Sequence, residues 1–267
     1  GWNVMSVSSQ RFTLFADDGK EYPVVSSAVS PHLLRGQSNP SLPSIDEILF
    51  DAGFASEEEA TDFGVRPGNF IVPVVETVLS ANQKRVFSKS WDNRFGLVTI
   101  LEVLESLKDV DLPVDLIIGA NVQEEVGLRG VSGAVEKFKP DVFFALDSSA
   151  ADDINGNPDA QGQLDNGTLI RVYDPTVVSP VRLVDFLIKT AKDNNINTQY
   201  FVSKGGTDAG NAQYQNFGVP SMALGVVSRY IHTHQTVWSI DDFNSAKSLV
   251  IAVLKSLNSD IIKGLYN

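Results

Sequence analysis

Residues 114–130 read VDLIIGANVQEEVGLRG, an apolar run that stops at two adjacent carboxylates, Glu124 and Glu125. The run at 114–120 predicts a strand buried on both faces, the kind found in parallel sheets. Open α/β sheets hold their chemistry just beyond the carboxyl ends of such strands. Two acids at that point repel each other unless a cation or a shared proton stabilises them, whereas loop glutamates are commonly just solvated. The choice between these readings depends on whether other strands end the same way.

Downstream of Ser90 the pattern alternates between strands and helices. Asp92 precedes a helix whose apolar positions Leu97, Ile100, Leu101 and Leu104 are expected to share the buried face. Segment 141–147, DVFFALD, predicts a strand ending in Asp147, and TLIRVYD predicts a third. Ser179-Pro180 opens a helix whose expected inner side is Val181, Val184, Leu187, Ile188 and Ala191. TQYFVS, the loop KGGTDAG, the strand PSMALGV and the loop SRYIHTHQ follow in order. Ser239 caps a final helix that turns Phe243, Ala246, Val250, Val253, Leu254 and Leu257 to the core. This alternation predicts an α/β unit over 88–267, a mainly parallel sheet covered by helices.

Residues 1–87 read instead as a smaller β-rich domain. RFTLFADDGKEYPVV has two alternating runs around Asp18-Gly19, a hairpin signal, and SPHLLRGQSNPSLPS is a turn-rich connection. IDEILFDAG predicts another strand, and Ser56 with Glu59 forms a capping-box pattern opening a short helix that ends near Gly64. VRPGNFIVP and ETVLSANQKRVFS supply further short strands before the pattern changes near 84–89.

Composition narrows the chemistry. A chain of 267 residues with 43% apolar and 20% charged residues suits a soluble globular protein with a large core. No apolar run reaches the ~18 residues a membrane span needs, and GWNVMSVSSQ lacks a signal-peptide pattern, so a cytoplasmic location without membrane partners is expected. A net charge of -12 argues against nucleic acid. With no cysteine, any metal must be held by carboxylate and imidazole, and the histidines are three: His32, His232 and His234.

Each candidate has an ordinary reading. Asp92 before a helix is most often an N-cap, Asp147 can hydrogen-bond a turn, His232 can sit exposed in its loop, and Asp208 can cap the helix after it. Yet Asp92, Glu124, Glu125, Asp147 and His232 all fall at predicted strand–helix transitions on one rim of the sheet. Hard carboxylate ligands with an imidazole suit Zn²⁺, Mn²⁺ or Co²⁺, and a shared carboxylate can bridge two ions. At this point a metal site and a set of caps and loop side chains stand as equal alternatives.

The segments SWDNRFG, GANVQEEVGLRG, FFALDSS, KGGTDAG and SRYIHTH closely resemble the M42 family of dinuclear metallo-aminopeptidases. NVQEEVGLRG, SPHLLRG and RYIHTHQT look most like its bacterial glutamyl aminopeptidase branch, and the resemblance runs the length of the chain. It implies that Asp92 bridges two divalent ions, most often Zn²⁺ or Co²⁺, with Glu125 and His232 ligating one and Asp147 the other. It implies that Glu124 is the general base, taking a proton from metal-bound water and later protonating the leaving amine. The family removes N-terminal residues from peptides one at a time, and this branch prefers acidic ones. A cation is then expected in the first substrate pocket, with Arg171 and Lys204 as candidates against the alternative of ordinary surface charges. Assembly into large hollow homo-oligomers is also implied.

One departure accompanies the resemblance. Family members carry a His-x-Asp segment upstream of the accessory domain, its His a further ligand, and the present sequence has none; His32 belongs to SPHLLRG and is not its substitute. The expectation is of a catalytic domain lacking its N-terminal segment, with apolar surface left uncovered, the Asp92–Asp147 metal site short of a donor, and activity dependent on supplying the segment. A non-catalytic remnant acting in assembly or binding, and a two-carboxylate glycosidase, remain the other functional readings; adjacent Glu124 and Glu125 fit the latter poorly, because its acids stand about 5–9 Å apart across the sugar bond.

Overall fold

The computed structural model describes residues 1–35 and 43–266. A single helical turn, α1 (Val4–Val7), is capped by the Asn3 side chain and leads into β1 (Arg11–Phe15). The expected hairpin forms: Gly19 adopts φ +79°, a conformation glycine reaches without strain, and returns the chain as β2 (Glu21–Ser26). The alternating pattern buries Phe12 and Leu14 against Val24 and Ile48. β3 (Phe50–Asp51) is shorter than IDEILFDAG promised, because Ile45–Glu47 closes into a 3-10 turn. Ser56 caps α2 (Glu57–Asp62) by accepting the Glu59 N–H at 3.1 Å. With β4 (Phe70–Pro73) the strands order antiparallel as β3-β2-β1-β4. Of the turn-rich connection, Pro31–Leu34 is a 3-10 turn, and its residues 36–42 lie outside the described ones.

The chain continues through β5 (Val78–Leu79), β6 (Arg85–Ser88), α3 (Trp91–Leu107), α4 (Gly130–Phe138), β7 (Phe143–Ala150), β8 (Thr168–Asp174) and β9 (Val177–Val178). After these come α5 (Val181–Asp193), β10 (Thr198–Val202), α6 (Asp208–Ala212), β11 (Ser221–Ser228), β12 (Thr236–Ser239), α7 (Ile240–Ser256) and α8 (Ser259–Leu265). The main sheet runs β10-β8-β11-β7, with β7–β11 and β8–β10 parallel and a short antiparallel contact joining β8 to β11. β6 pairs with β5 and β12, so a ladder ties the expected domain boundary at 87/88 to the second unit.

β11 is buried throughout because helices cover both its faces. Met222 and Leu224 meet Leu183, Leu187, Leu249 and Val253 of α5 and α7, while Ala223 meets Ala209 of α6 on the other side. Each large apolar side chain so buried contributes ~1.5–3 kcal/mol. Ser239 caps α7 as expected, and Phe243, Ala246, Val253, Leu254 and Leu257 are buried. Among the described residues no helix is long and apolar enough to cross a membrane.

Three expectations are corrected. Residues 114–120 form no strand among the described residues; Leu112 and Leu116 rest on Val103, Leu107 and Leu254, whereas Asp115 and Ile117 are exposed. A strand needs a neighbour to accept its main-chain bonds, and among the described residues none pairs with this run. In α3 the inner face is Phe95, Thr99, Val103 and Leu107, leaving Leu97, Leu101 and Leu104 exposed. That helix is apolar on most of its circumference, so periodicity alone does not select the buried stripe. Val181 is 71% exposed, and Leu183 fills the place expected of it.

β7 and β11 approach so closely that a Cβ at Gly225 would lie 1.8 Å from the Asp147 carbonyl oxygen. Gly225→Ala is expected to lower the urea midpoint by the equivalent of about 1–3 kcal/mol. Gly133→Ala, in α4 where a Cβ meets nothing within 4 Å, is expected to raise it by about 0.5–1 kcal/mol.

Candidate metal centre

Asp92 stands where the backbone leaves helical geometry at the start of α3. Ser90 has φ 59°, Asp92 and Asn93 have non-helical ψ values of 104° and 53°, and the peptide between those two is cis. Asn93 anchors this bend, donating to the Leu146 carbonyl at 2.7 Å and accepting from Gly96 N–H at 2.9 Å. His232 enters from the loop between β11 and β12, at φ 59°. Thr233 Oγ1 closes that loop on the Tyr230 carbonyl at 2.6 Å. Glu125 comes from the turn after 114–120, where the Gly127 and Leu128 N–H groups donate to the Glu124 carbonyl.

Asp92, Glu125 and His232 converge, one ligand atom from each lying within 4.8 Å of the others. His232 Nε2 stands 2.9 Å from Asp92 Oδ2 and 3.6 Å from Glu125 Oε2. All three line a hollow of about 410 Å³ that also takes in Trp2, Lys89 and Thr233. A larger hollow of about 520 Å³ lies between α7 and the turn after α5, is lined mainly by Asn and Ser, and contains none of the expected site residues.

Glu124 and Asp147 stand outside that three-atom cluster but within its field. Burial, then the charges of Glu125, Asp92 and Asp208, push Glu124 up to about 7. Asp147 lies within β7 rather than at its end and is almost fully buried; burial, then Asp92 and Glu124, drive it well above the usual carboxylate range. Burial followed by Asp92 raises Glu125. The hydrogen bond to Asp92 raises His232. Acids gathered so tightly, with one imidazole between them, are a donor set short of positive charge, and divalent cations fit that shortage.

The remaining candidates are placed differently. Arg171 is buried in β8, donating to Ser149 Oγ at 2.6 Å, the Gly205 carbonyl at 3.1 Å and Asp174 Oδ2 at 3.3 Å. Lys204 is exposed. His32 is exposed in its 3-10 turn, and His234 turns toward Phe12, ring centroids 5.4 Å apart. Sequence reasoning did not single out Asn121, in GANVQEEVGLRG, whose side-chain amide donates to Asp208 Oδ2 at 2.8 Å; the two are 87 residues apart, and no local signal links them.

The M42 glutamyl aminopeptidase profile matches residues 1–249. The chain belongs to the M42 family. This M42 chain is 50% identical over 268 residues to the glutamyl aminopeptidase of Lactococcus lactis subsp. cremoris, a match covering 100% of the chain and 75% of that relative. A TET aminopeptidase from a marine sediment Thaumarchaeota archaeon superposes with a TM-score of 0.94 at 30% identity, covering 99% of the M42 chain and 75% of its own. The Pyrococcus horikoshii TET1 peptidase, which can assemble into a tetrahedron or a large octahedral shell, superposes with a TM-score of 0.83 at 27% identity, over 96% and 75% of the two chains.

The electrostatics give a signed expectation. Glu124, Glu125, Asp147 and His232 all hold protons more tightly folded than unfolded. Their stabilisation is complete below the unfolded values and lost as pH rises; for Glu124 the window runs from 4.5 to about 7. Metal-free protein should therefore melt higher at about pH 5.5 than at about pH 7.5. Zn²⁺ or Co²⁺ added at the higher pH should raise the melting temperature, and chelator should reverse it, as followed by differential scanning fluorimetry.

Proposed function

We propose that the chain acts as a metal-dependent aminopeptidase that removes glutamate or aspartate from peptide N-termini, with Glu124 as general base. The observation that carries this reading is a carboxyl pushed up to about 7 beside a converging set of Asp92, Glu125 and His232. Asp92, Glu125 and His232 would hold one ion, and Asp92 with Asp147 a second. When bound, such ions supply Lewis acidity toward the scissile carbonyl and lower the pKa of water.

The protein's own groups divide the remaining work. Glu125 faces His232, which leaves the neighbouring Glu124 carboxyl for proton transfer. A base that titrates near neutral pH can take a proton from the attacking water and return it to the departing amine. Arg171 is committed to three internal partners, so its charge reaches the site through the field it exerts on Asp147. Lys204 is the exposed cation of the two expected residues and is assigned here to the acidic side chain of the substrate. On a chain of net charge -12, acidic peptides need such a local attraction. The Lactococcus relative's name supports the acidic preference, and the shell-forming Pyrococcus relative supports a homo-oligomer.

The test uses glutamyl and lysyl p-nitroanilides with Co²⁺ or Zn²⁺ supplied. Glutamyl hydrolysis should dominate and stop on chelation. Glu124→Gln should cut kcat by about 10²–10⁴ at unchanged metal content. Lys204→Ala should raise KM for the glutamyl substrate alone. Turnover that survives chelation, or in Glu124→Gln, would remove this reading.

A further inference from the structure

Beyond Lys204, the motif KGGTDAG and the Asn211 that follows it carry no role in the assignments above, yet Asp208 and Asn211 reach the loop that carries Glu124 and Glu125. Asp208, at the start of α6, accepts a hydrogen bond from Asn121 Nδ2 at 2.8 Å, just ahead of the two glutamates. One turn along, Asn211 Nδ2 donates to the Leu128 carbonyl at 2.7 Å and approaches Ser132 Oγ at 2.9 Å, beyond them. The loop between these anchors is strained for its residue types: Gln123 and Leu128 both have positive φ, 60° and 54°. Glu125 and its neighbours Gln123 and Val126 are exposed. Main-chain bonds from Gly127, Leu128, Arg129 and Gly130 back to 122–124 close the loop on itself, and the two side chains of α6 grip it at both ends.

The other side of α6 is fixed by close contact. A Cβ on Gly210 would come within 2.0 Å of Thr176 Oγ1, and one on Gly206 within 2.7 Å. Thr176 is itself held, its N–H and hydroxyl donating to Asp174 Oδ1 at 2.7 and 2.6 Å. Arg171 joins Asp174, the Gly205 carbonyl and Ser149, two residues beyond Asp147 on β7. The glycines of the motif thus let α6 lie against Thr176, and the contacts continue unbroken from β7 through α6 to the glutamate loop.

We propose that α6 is a bracket that sets the position of the 121–130 loop relative to Asp147, with Asp208 and Asn211 as its positioning residues. The bracket is a statement about geometry; its effect on turnover rests on the aminopeptidase reading. Asp208 has an oxygen, Oδ1, that is buried and has no hydrogen-bond partner among the described residues. A carboxylate is kept there at a desolvation cost that an apolar side chain would avoid, as expected of a residue that must grip Asn121.

Hydrogen exchange by mass spectrometry on metal-loaded protein tests it. Asp208→Ala and Asn211→Ala should each speed exchange of the 121–130 amides about tenfold, with α7 peptides unchanged, the effect expected from one lost hydrogen bond. Asp208→Asn, whose amide oxygen still accepts from Asn121, should restore protection. In parallel, kcat for the glutamyl anilide should fall about tenfold or more in the alanine variants at constant KM. Should Asp208→Ala fail to fold, Asn121→Ala deletes the same bond from an exposed residue and is read the same way. Unchanged exchange over 121–130, or acceleration spread equally into α7, overturns the bracket. A parent protein that exchanges as described but turns nothing over counts against the aminopeptidase reading and leaves the bracket standing.

Discussion

Carboxylates crowded around a single imidazole are the constraint that the rest of this molecule has to accommodate. Asp92, Glu124, Glu125 and Asp147 act on one another through a partly desolvated space, and His232 is the nearest compensating ring. Repulsion of this kind opposes folding at neutral pH and is tolerated where a bound cation reverses its sign. The rest of the fold reads as the framework that keeps these groups together against that repulsion.

The framework relies on close backbone approach more than on side-chain bulk. Gly225 lets β11 meet β7 at Asp147, Gly96 lets α3 lie on the Leu146 carbonyl, and Gly210 lets α6 lie on Thr176. Each contact sets the distance between two segments that carry, or grip, a site residue. The large apolar core formed by α5, α7 and β11 lies to one side of the site and makes such precision affordable.

Much of this was legible before the structure. The Asp18-Gly19 hairpin, the Ser56 and Ser239 caps, strand TLIRVYD and the buried PSMALGV strand all follow from local chemistry, and each forms. Asp92, Glu125 and His232, which the family resemblance implied as ligands of one ion, stand close together, although residues 114–120 ahead of Glu125 form no strand. Where the reading failed, local chemistry was silent. A helix apolar on most sides does not say which stripe turns inward, and α3 turns in Phe95, Thr99, Val103 and Leu107. An apolar run such as 114–120 cannot show whether a neighbouring strand will be present to pair with it.

The sequence by itself therefore determined most element types and the family to which the chain belongs, because propensities, caps and motifs are written in consecutive residues. Only the tertiary structure decided that Arg171 is consumed by Ser149, Gly205 and Asp174, that Asp208 holds Asn121, and that Glu124 titrates near neutrality. Those properties depend on distance and desolvation between residues remote in the chain, and neither quantity exists until the chain has folded.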